Sequence, residues 1–286
     1  QISSKDIADR IGSYQNVSRS LQGAIPGLTV TFSDGKPTRG ASFQVRGANS
    51  IGAGGSALIL VDGVETDITT VNSEDIESIS VLKDASSTAV YGSRGTFGVI
   101  LITTKRPEKG QMKITYNGSY NFYKRTVTPE LVDNGYDWTT SYLEAYTNSY
   151  ATDPTNINNV FRFSRAWYSE LERRNSDPSY EKWRINPADN RYEYFGNTNW
   201  YKIFYKDYTT GHQHNLSITG GTDKASYYVS GRFFHQDGIY NAGDERYNQY
   251  NVLAKGTVQA TKWLRVENTT SFMSRFSHQP TLTTGG

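Results

Sequence analysis

Residues 75–106 read DIESISVLKDASSTAVYGSRGTFGVILITTKR, and this stretch decides the fold class of the N-terminal part of the chain. It begins with a short β segment, continues through a turn of small residues, and ends in the apolar run 98–103. Gly92, Gly95 and Gly98 permit tight backbone turns between the two segments. The apolar run does not alternate with polar residues, so we expect a strand that is buried on both faces. The pattern predicts a compact β-turn-β unit.

Two further blocks precede this unit, RGANS at 46–50 and LILVDGV at 58–64. Together the three blocks resemble the plug signature of SusC/RagA-type TonB-dependent outer-membrane transporters. In that family a folded plug sits inside a large β-barrel. The resemblance therefore implies an α+β plug domain followed by antiparallel transmembrane β-barrel strands, here a fragment of a barrel of about 22 strands.

The composition fits a membrane barrel without requiring one. Only 36% of the 286 residues are hydrophobic, yet the chain contains 21 Tyr, 12 Phe and 5 Trp. Barrel strands alternate lipid-facing and lumen-facing residues, which keeps mean hydropathy low while aromatic residues collect at the interfaces. A soluble carbohydrate-binding β-sandwich has the same composition, so this alternative stays open. The longest apolar run, 57–61, is too short for a transmembrane helix.

Charge, cysteine content and the chain start narrow the function classes further. The net charge of +2 does not indicate nucleic acid binding. The absence of Cys excludes a disulfide framework and a thiolate metal site. The start at Gln1 lacks a charged segment followed by an apolar core, so we expect a processed chain or a fragment.

Hydrophobic patterning predicts two domains. A helix ending at Pro26-Gly27 and strands at 28–32, 42–46, 57–61, 74–82 and 98–104 form a plug domain over 1–108. The second domain, 109–286, is the N-terminal part of the barrel. Its first strand, 112–123, alternates almost strictly, and we expect the apolar even-numbered residues to face lipid.

Four more strands are predicted at 212–220, 225–236, 250–260 and 264–276. Their short and long connections alternate, as periplasmic turns and external loops do in outer-membrane barrels. The long insertion 124–210 has helical composition at 133–146 and 161–174, and the predicted topology makes it extracellular.

The resemblance marks a set of plug-signature residues and candidates for locking the plug to the barrel: Arg46, Gly47, Asp62, Gly63, Glu77, Lys83, Asp84, Tyr91, Gly92, Arg94 and Gly95. Arg46 and Lys83 would form ion pairs with barrel carboxylates in strands beyond this chain, and the alternative for both is a solvated surface cation. Asp62 and Asp84 each lie at a turn, where a carboxylate accepts hydrogen bonds from backbone N–H groups.

No pattern indicates catalysis or a cofactor. Pairing of Asp62 with Glu77 or Asp84 matches no catalytic motif. His212 and His214 point to the same side of a strand, but without a third ligand an interfacial role is favoured over a metal site. The glycine run 52–55 lacks the Lys-Ser/Thr of a phosphate loop. We therefore predict no enzyme activity, no cofactor and no metal.

The insertion is crowded with aromatic residues. Their rings suit stacking on sugars, but two short helices also need an apolar core, and the core interpretation is favoured. The residues are Trp138, Tyr142, Tyr146, Trp167, Tyr168, Trp183, Tyr192, Tyr194 and Trp200.

The resemblance implies a function in the outer membrane of a Gram-negative bacterium. The protein would lie among membrane lipid and import oligosaccharides or peptides. A SusD-like lipoprotein would cap the barrel, and TonB would pull a segment upstream of Gln1. The alternative is a secreted or surface β-rich glycan-binding or adhesive protein without transport. An outer-membrane enzyme would require a catalytic constellation that the sequence lacks.

Overall fold

The computed structural model describes residues 2–3, 17–33, 40–45, 56–157, 162–241 and 243–279. The chain divides into two compact units. The first comprises 1–123, 209–238 and 243–286, and the second comprises 124–208 and 239–242. Within the described ranges, no helix has the length and apolar character needed to cross a membrane.

We refer to the described residues before Gly110 as the plug. Its helices and strands are α1 (Val17–Leu21), β1 (Ile2–Ser3), β2 (Leu28–Phe32), β3 (Ala41–Val45), β4 (Leu58–Val61), β5 (Val64–Glu65), β6 (Ile76–Leu82), α2 (Ala85–Thr88) and β7 (Val99–Thr104). One sheet has the order β1-β6-β7-β4-β5, and β2 and β3 form a separate ribbon. β4 and β7 run parallel, whereas β6 and β7 run antiparallel. The predicted α+β architecture is confirmed.

The central strand β7 is buried on both faces, as predicted from its uninterrupted apolar run. Ile100 and Ile102 belong to the main core, together with Phe43 from the ribbon. Val99 points to the opposite side and packs in a second cluster with Leu58 and Leu60 of β4. Each buried side chain of this size stabilises the fold by about 1.5–3 kcal/mol.

Gly98 illustrates why the turn before β7 contains glycine. Its φ is +91°, a region that L side chains rarely adopt, and an added Cβ would lie 2.7 Å from the side chain of Val45. Both the backbone conformation and the close approach of β3 therefore require a residue without a side chain.

β8 (Gly110–Lys124) leaves the plug, and the second unit follows it. That unit contains α3 (Gly135–Tyr150), α4 (Arg165–Ser176), β9 (Trp183–Ile185), β10 (Tyr192–Tyr194) and α5 (Trp200–Phe204). The two predicted helices are therefore present, whereas the β9–β10 hairpin and α5 were not predicted.

The aromatic residues of the second unit fall into two groups. Trp167 is buried with Ile157, Leu171 and Phe195, and Tyr142 and Tyr168 pack against this core. The core interpretation is confirmed for these three aromatic residues. It is wrong for the others whose rings are largely exposed, because the small core is filled without them: Trp138, Trp183, Tyr192, Tyr194 and Trp200.

Four further long strands complete the first unit: β11 (Tyr208–Gly221), β12 (Ala225–Asp237), β13 (Arg246–Gln259) and β14 (Arg265–His278). They form one sheet with β8 in the order β14-β13-β12-β11-β8. All five strands were predicted, the first four from alternation and the fifth from the turn that precedes it. The structure extends most of them by a few residues, because backbone pairing continues past the last alternating side chain.

The two faces of this sheet differ in polarity. The inner face, which packs against the plug, buries polar side chains: Gln213, Asn215, Ser230, Arg232, Gln249, Asn251 and Lys255. The opposite, outer face exposes large apolar side chains: Met112, Ile114, Tyr120, Leu216, Val229, Val252, Phe272 and Phe276. A soluble sheet buries its apolar face instead, so this polarity is that of a membrane barrel wall.

Candidate functional site between the plug and the long strands

The plug contacts the inner face of the sheet through two short turns and one hairpin. The turns are 3-10 helices at Ile68–Thr70 and Ser73–Asp75. The carboxylate of Asp67 accepts a hydrogen bond from Thr69 N at 2.8 Å, and the amide oxygen of Asn72 accepts one from Glu74 N at 3.2 Å. These side-chain caps satisfy the first N–H groups of each turn and so fix its orientation toward the strands.

Asp75 is the centre of the first contact. Its side chain is buried, at 3% exposure for the residue. The Tyr228 hydroxyl donates to Asp75 Oδ1 at 2.8 Å, and Asn72 Nδ2 donates to Asp75 Oδ2 at 3.0 Å. Asn72 Nδ2 also donates to Asn215 Oδ1 at 2.8 Å. A buried carboxylate without donors is strongly destabilising, so these bonds tie the plug to β11 and β12.

The second contact uses oxygen atoms of the Ile68–Thr70 turn of the plug. Asn251 Nδ2 donates to the Thr70 carbonyl at 2.6 Å, and Gln249 Nε2 donates to the Thr69 carbonyl at 3.3 Å. Arg275 donates to the Thr69 hydroxyl at 3.0 Å. The donors lie on β13 and β14, and every acceptor belongs to the turn that Asp67 caps.

The third contact is an ion pair. Lys255 Nζ of β13 lies 2.9 Å from Asp62 Oδ2, and the two side chains are 9% and 25% exposed. Lys255 also donates to the Thr104 carbonyl at 3.2 Å. Asp62 in turn accepts from Thr104 N at 3.0 Å and from the Thr104 hydroxyl at 2.6 Å.

The position of Asp62 follows from local sequence. Asp62 and Gly63 join β4 to β5 and have φ values of 49° and 88°. Two consecutive residues with positive φ are typical of the type I′ hairpin turn, for which Asp-Gly is a preferred sequence. The turn therefore places the carboxylate at the end of β4, next to Thr104 at the end of β7.

The surroundings of Asp62 favour its charged form. Burial acts to raise the pKa of this carboxyl, but the hydrogen bonds from Thr104 and the ammonium of Lys255 outweigh it. The result is a pKa below the ordinary value of 3.8. At neutral pH the third contact is therefore a charge-assisted contact.

The remaining plug-signature residues lie elsewhere in the plug. Tyr91 packs against the cluster of Leu58, Leu60 and Val99. Arg94 forms an exposed ion pair with Glu65. The backbone carbonyl of Asp84 accepts from Ser87 and Thr88 in the first turn of α2. Glu77 is exposed.

Three glycines of the signature have backbone roles. Gly63 and Gly92 have positive φ. A Cβ at Gly95 would lie 2.7 Å from the Thr88 carbonyl oxygen. These positions hold turns and a close approach within the plug.

The two predicted locking cations have different outcomes. Arg46, with Gly47, lies outside the described residues. Lys83 donates to the carbonyl of Pro26, which also belongs to the plug. Its pairing with a carboxylate of a further strand stays a prediction.

The two histidines singled out in the sequence lie on the outer face, away from the plug. Tyr116 and His214 are joined by a hydrogen bond of 2.7 Å between the hydroxyl and Nδ1. The ring of His212 lies 5.1 Å from that of His235, centroid to centroid. In the described part of the chain, no group of three His, Cys, Asp or Glu residues is arranged to hold a metal ion.

Sequence reasoning missed the strand residues of the site: Asn215, Tyr228, Gln249, Asn251, Lys255 and Arg275. Alternation did place Asn251 and Lys255 on the face opposite Val252 and Ala254. It gave no indication of which plug residue each would meet.

Comparisons with known proteins agree with this architecture. Residues 1–99 match the TonB-dependent receptor plug domain. The chain is 32% identical over 259 residues to TonB-dependent receptor P3 of Formosa agariphila, covering 88% of this chain and 21% of that protein. It is 43% identical over 124 residues to TonB-dependent receptor SusC of Bacteroides thetaiotaomicron, covering 40% of this chain and 12% of SusC.

A solved structure covers nearly all of the chain. The RagAB peptide importer in its open-open state superposes with a TM-score of 0.71 and 28% identity, over 97% of this chain and 30% of that one. The chain thus spans between about a tenth and a third of the length of these relatives. With its α+β plug packed on the polar face of five antiparallel strands, it belongs to the SusC/RagA-type family of TonB-dependent receptors, of which it carries the plug and the first barrel strands.

Proposed function

We propose that the complete protein is a TonB-dependent importer in the outer membrane of a Gram-negative bacterium. The observation that carries the proposal is the plug seated on the polar inner face of strands whose outer face is apolar. A barrel of about 22 strands encloses a lumen wide enough to need such a plug. Import then requires that closed and open plug states be stabilised differently.

The chemistry of the plug contacts suits reversible opening. Apart from the buried Asp75 group, the plug is held to the strands by neutral side-chain hydrogen bonds from β13 and by the Asp62–Lys255 ion pair. Water replaces such bonds at a small net cost, about 0.5–1.5 kcal/mol for each neutral hydrogen bond. A polar interface can therefore separate and re-form where an apolar one would not.

The cargo we propose is oligosaccharide or peptide, captured with a SusD-like surface lipoprotein. Support comes from the relatives, since one is SusC and another is named a peptide importer, RagAB. We also propose import rather than catalysis, because the relatives are receptors and importers.

Labelling of the first long strand tests the membrane placement. The side chain of Ile114 is exposed on the outer face, whereas Thr115 points to the inner face. In the full-length protein, we expect I114C to react with a lipid-soluble thiol reagent and T115C with a water-soluble one. The 286 residues contain no Cys, so no native thiol among them reacts with the reagents. Strong water-soluble labelling at 114 with none at 115 would exclude a membrane-spanning β8.

Deletion of a TonB-contacting segment tests the energy coupling. We propose a short β-prone segment directly upstream of Gln1, which would pair with TonB by strand addition. Deleting it should abolish uptake but leave substrate binding and barrel assembly intact, because the segment acts in opening. Uptake at the normal rate after the deletion, in cells with working TonB, would show that the barrel opens by another route.

One observation favours a second candidate function, a surface glycan-binding protein without transport. Trp183 and Tyr192 lie on one exposed face of the β9–β10 hairpin, with ring centroids 5.7 Å apart. Aromatic faces of this kind suit sugar rings. Detergent separates the two candidates, because only the importer partitions into detergent during extraction.

A further inference from the structure

Two cavities lie along the seam between the plug and strands β13–β14. The upper cavity, of about 280 Å³, is nearer to the long β12–β13 connection and is lined on the strands by Asn251, Leu253, Thr269, Ser271 and Met273. The lower cavity, of about 650 Å³, is nearer to the short turns and is lined on the strands by Lys255, Thr257, Gln259, Arg265 and Glu267. Both volumes are close to or within the range of small-ligand sites, about 300–1,000 Å³.

The Asp62–Lys255 pair lies where the two cavities meet. Asp62 and Thr269 line both of them. Along β13, Asn251 and Leu253 face the upper cavity, whereas Lys255 and Thr257 face the lower one. The ion pair, with its hydrogen bonds to Thr104, therefore lies at the boundary between the two cavities.

We infer that the Asp62–Lys255 pair is a gate between the two cavities, and that the import path runs along β13–β14 while the plug stays attached elsewhere. The inference rests on the proposed importer function and adds the route and the gating residues. Breaking this ion pair joins the two cavities into one passage along β13, from the level of Asn251 to that of Gln259.

The contrast with the first contact supports a local opening. Asp75, Asn72, Asn215 and Tyr228 are all buried and bond to one another. Asn72 and Asp75 border the upper cavity, but none of the four residues lines the lower one, so parting them does not join the two cavities. Separating that group would leave a buried carboxylate without donors. At the gate, Asp62 borders both cavities and Lys255 borders the lower, more polar one, so water can hydrate both ions as they part.

Reversible cross-linking of the full-length protein tests the gate. D62C and K255C would be bridged by a short bifunctional methanethiosulfonate reagent, since the gap left by a lysine is longer than a disulfide spans. The matched control bridges E74C and N117C, which replace a plug–β8 hydrogen bond of 3.0 Å away from the seam. The readout is KCl current through single proteins in planar lipid bilayers, with sub-denaturing urea added to loosen the plug.

The gate predicts that the bridged D62C/K255C protein loses the current and regains it after reduction, whereas the bridged E74C/N117C protein still conducts. Loss of current in both bridged proteins would overturn the inference, because the plug would then leave as one body. Current in both would also overturn it, because the path would lie elsewhere. An unmodified protein that never conducts would instead overturn the proposed importer, and the gate with it.

Discussion

Replacing Val99 by Asp is expected to unfold the plug. Val99 is 0% exposed and lies in β7, between β4 and β6 in the sheet. Its side chain packs against Leu58 and Leu60, which offer no hydrogen-bond donor. An unpaired buried charge destabilises a fold by about 3–5 kcal/mol, which is a large part of the roughly 5–15 kcal/mol that stabilises a typical domain.

Limited proteolysis of the full-length protein measures this effect. The plug of the V99D variant should be cleaved within the time that leaves the unmodified plug intact. The matched control is V90D in the same domain, because Val90 is 86% exposed and a carboxylate there stays hydrated. A V99D protein that resists proteolysis as well as V90D would show that β7 is not a buried strand.

The strands of this protein were predictable because their signals are local. The uninterrupted apolar run of β7 indicated burial on both faces, and its two faces do enter two different clusters. The alternation of β8 indicated two unlike faces, and the structure exposes Ile114 and Tyr120 on one of them. Side-chain periodicity is a property of each segment alone, so it can be read without knowing the neighbours.

The contacts that form the site were not predictable because they are not local. Asn72 and Asn215 are 143 positions apart, and Thr69 and Arg275 are 206 apart. Their meeting depends on the register of each strand and on where the plug sits, and neither leaves a pattern in the sequence. Short strands could not be predicted for a related reason. The strand β1 has only 2 residues and is defined only by its pairing with β6.

The aromatic residues of the second unit also divide into those with a local signal in the sequence and those without one. Trp167 and Leu171 are four positions apart on α4, so they share a helix face, and both are buried. Trp183 and Tyr192 lie on a hairpin of three-residue strands that has no comparable periodic signal. The prediction from composition placed all the aromatic residues of the insertion in one core, although the helices bury only some of them.

Breaking the Asp62–Lys255 pair is expected to loosen the plug strongly, and a double-mutant cycle should show that the two residues act together. D62N keeps a side chain that tolerates the positive φ of this turn, and K255M keeps the stem of the lysine. In D62N the ammonium of Lys255, 9% exposed, loses its counter-ion and keeps the Thr104 carbonyl as acceptor. In K255M the carboxylate keeps Thr104 as donor, so D62N should be the more damaging change.

The urea midpoint for plug release measures these effects in the full-length protein. The double variant should lose less than the sum of the single losses, with a coupling energy of about 1–3 kcal/mol. D223N removes the exposed Lys109–Asp223 pair and should not change the midpoint measurably. Additive losses in the cycle would show that the 2.9 Å contact does not hold the plug.

The same pair predicts how plug release depends on pH. Because the pKa of Asp62 is lowered below 3.8, its contribution is fully present above that value and is lost as pH falls through the lowered pKa. The part of the urea midpoint that Asp62 contributes should therefore be constant between about pH 5 and 8 and decrease only below about pH 4. D62N has no carboxylate to protonate, so the difference between its midpoint and that of the unmodified protein should shrink in acid. A difference that persists unchanged well below pH 3.8 would mean that the charge of Asp62 is not what holds the plug at this seam.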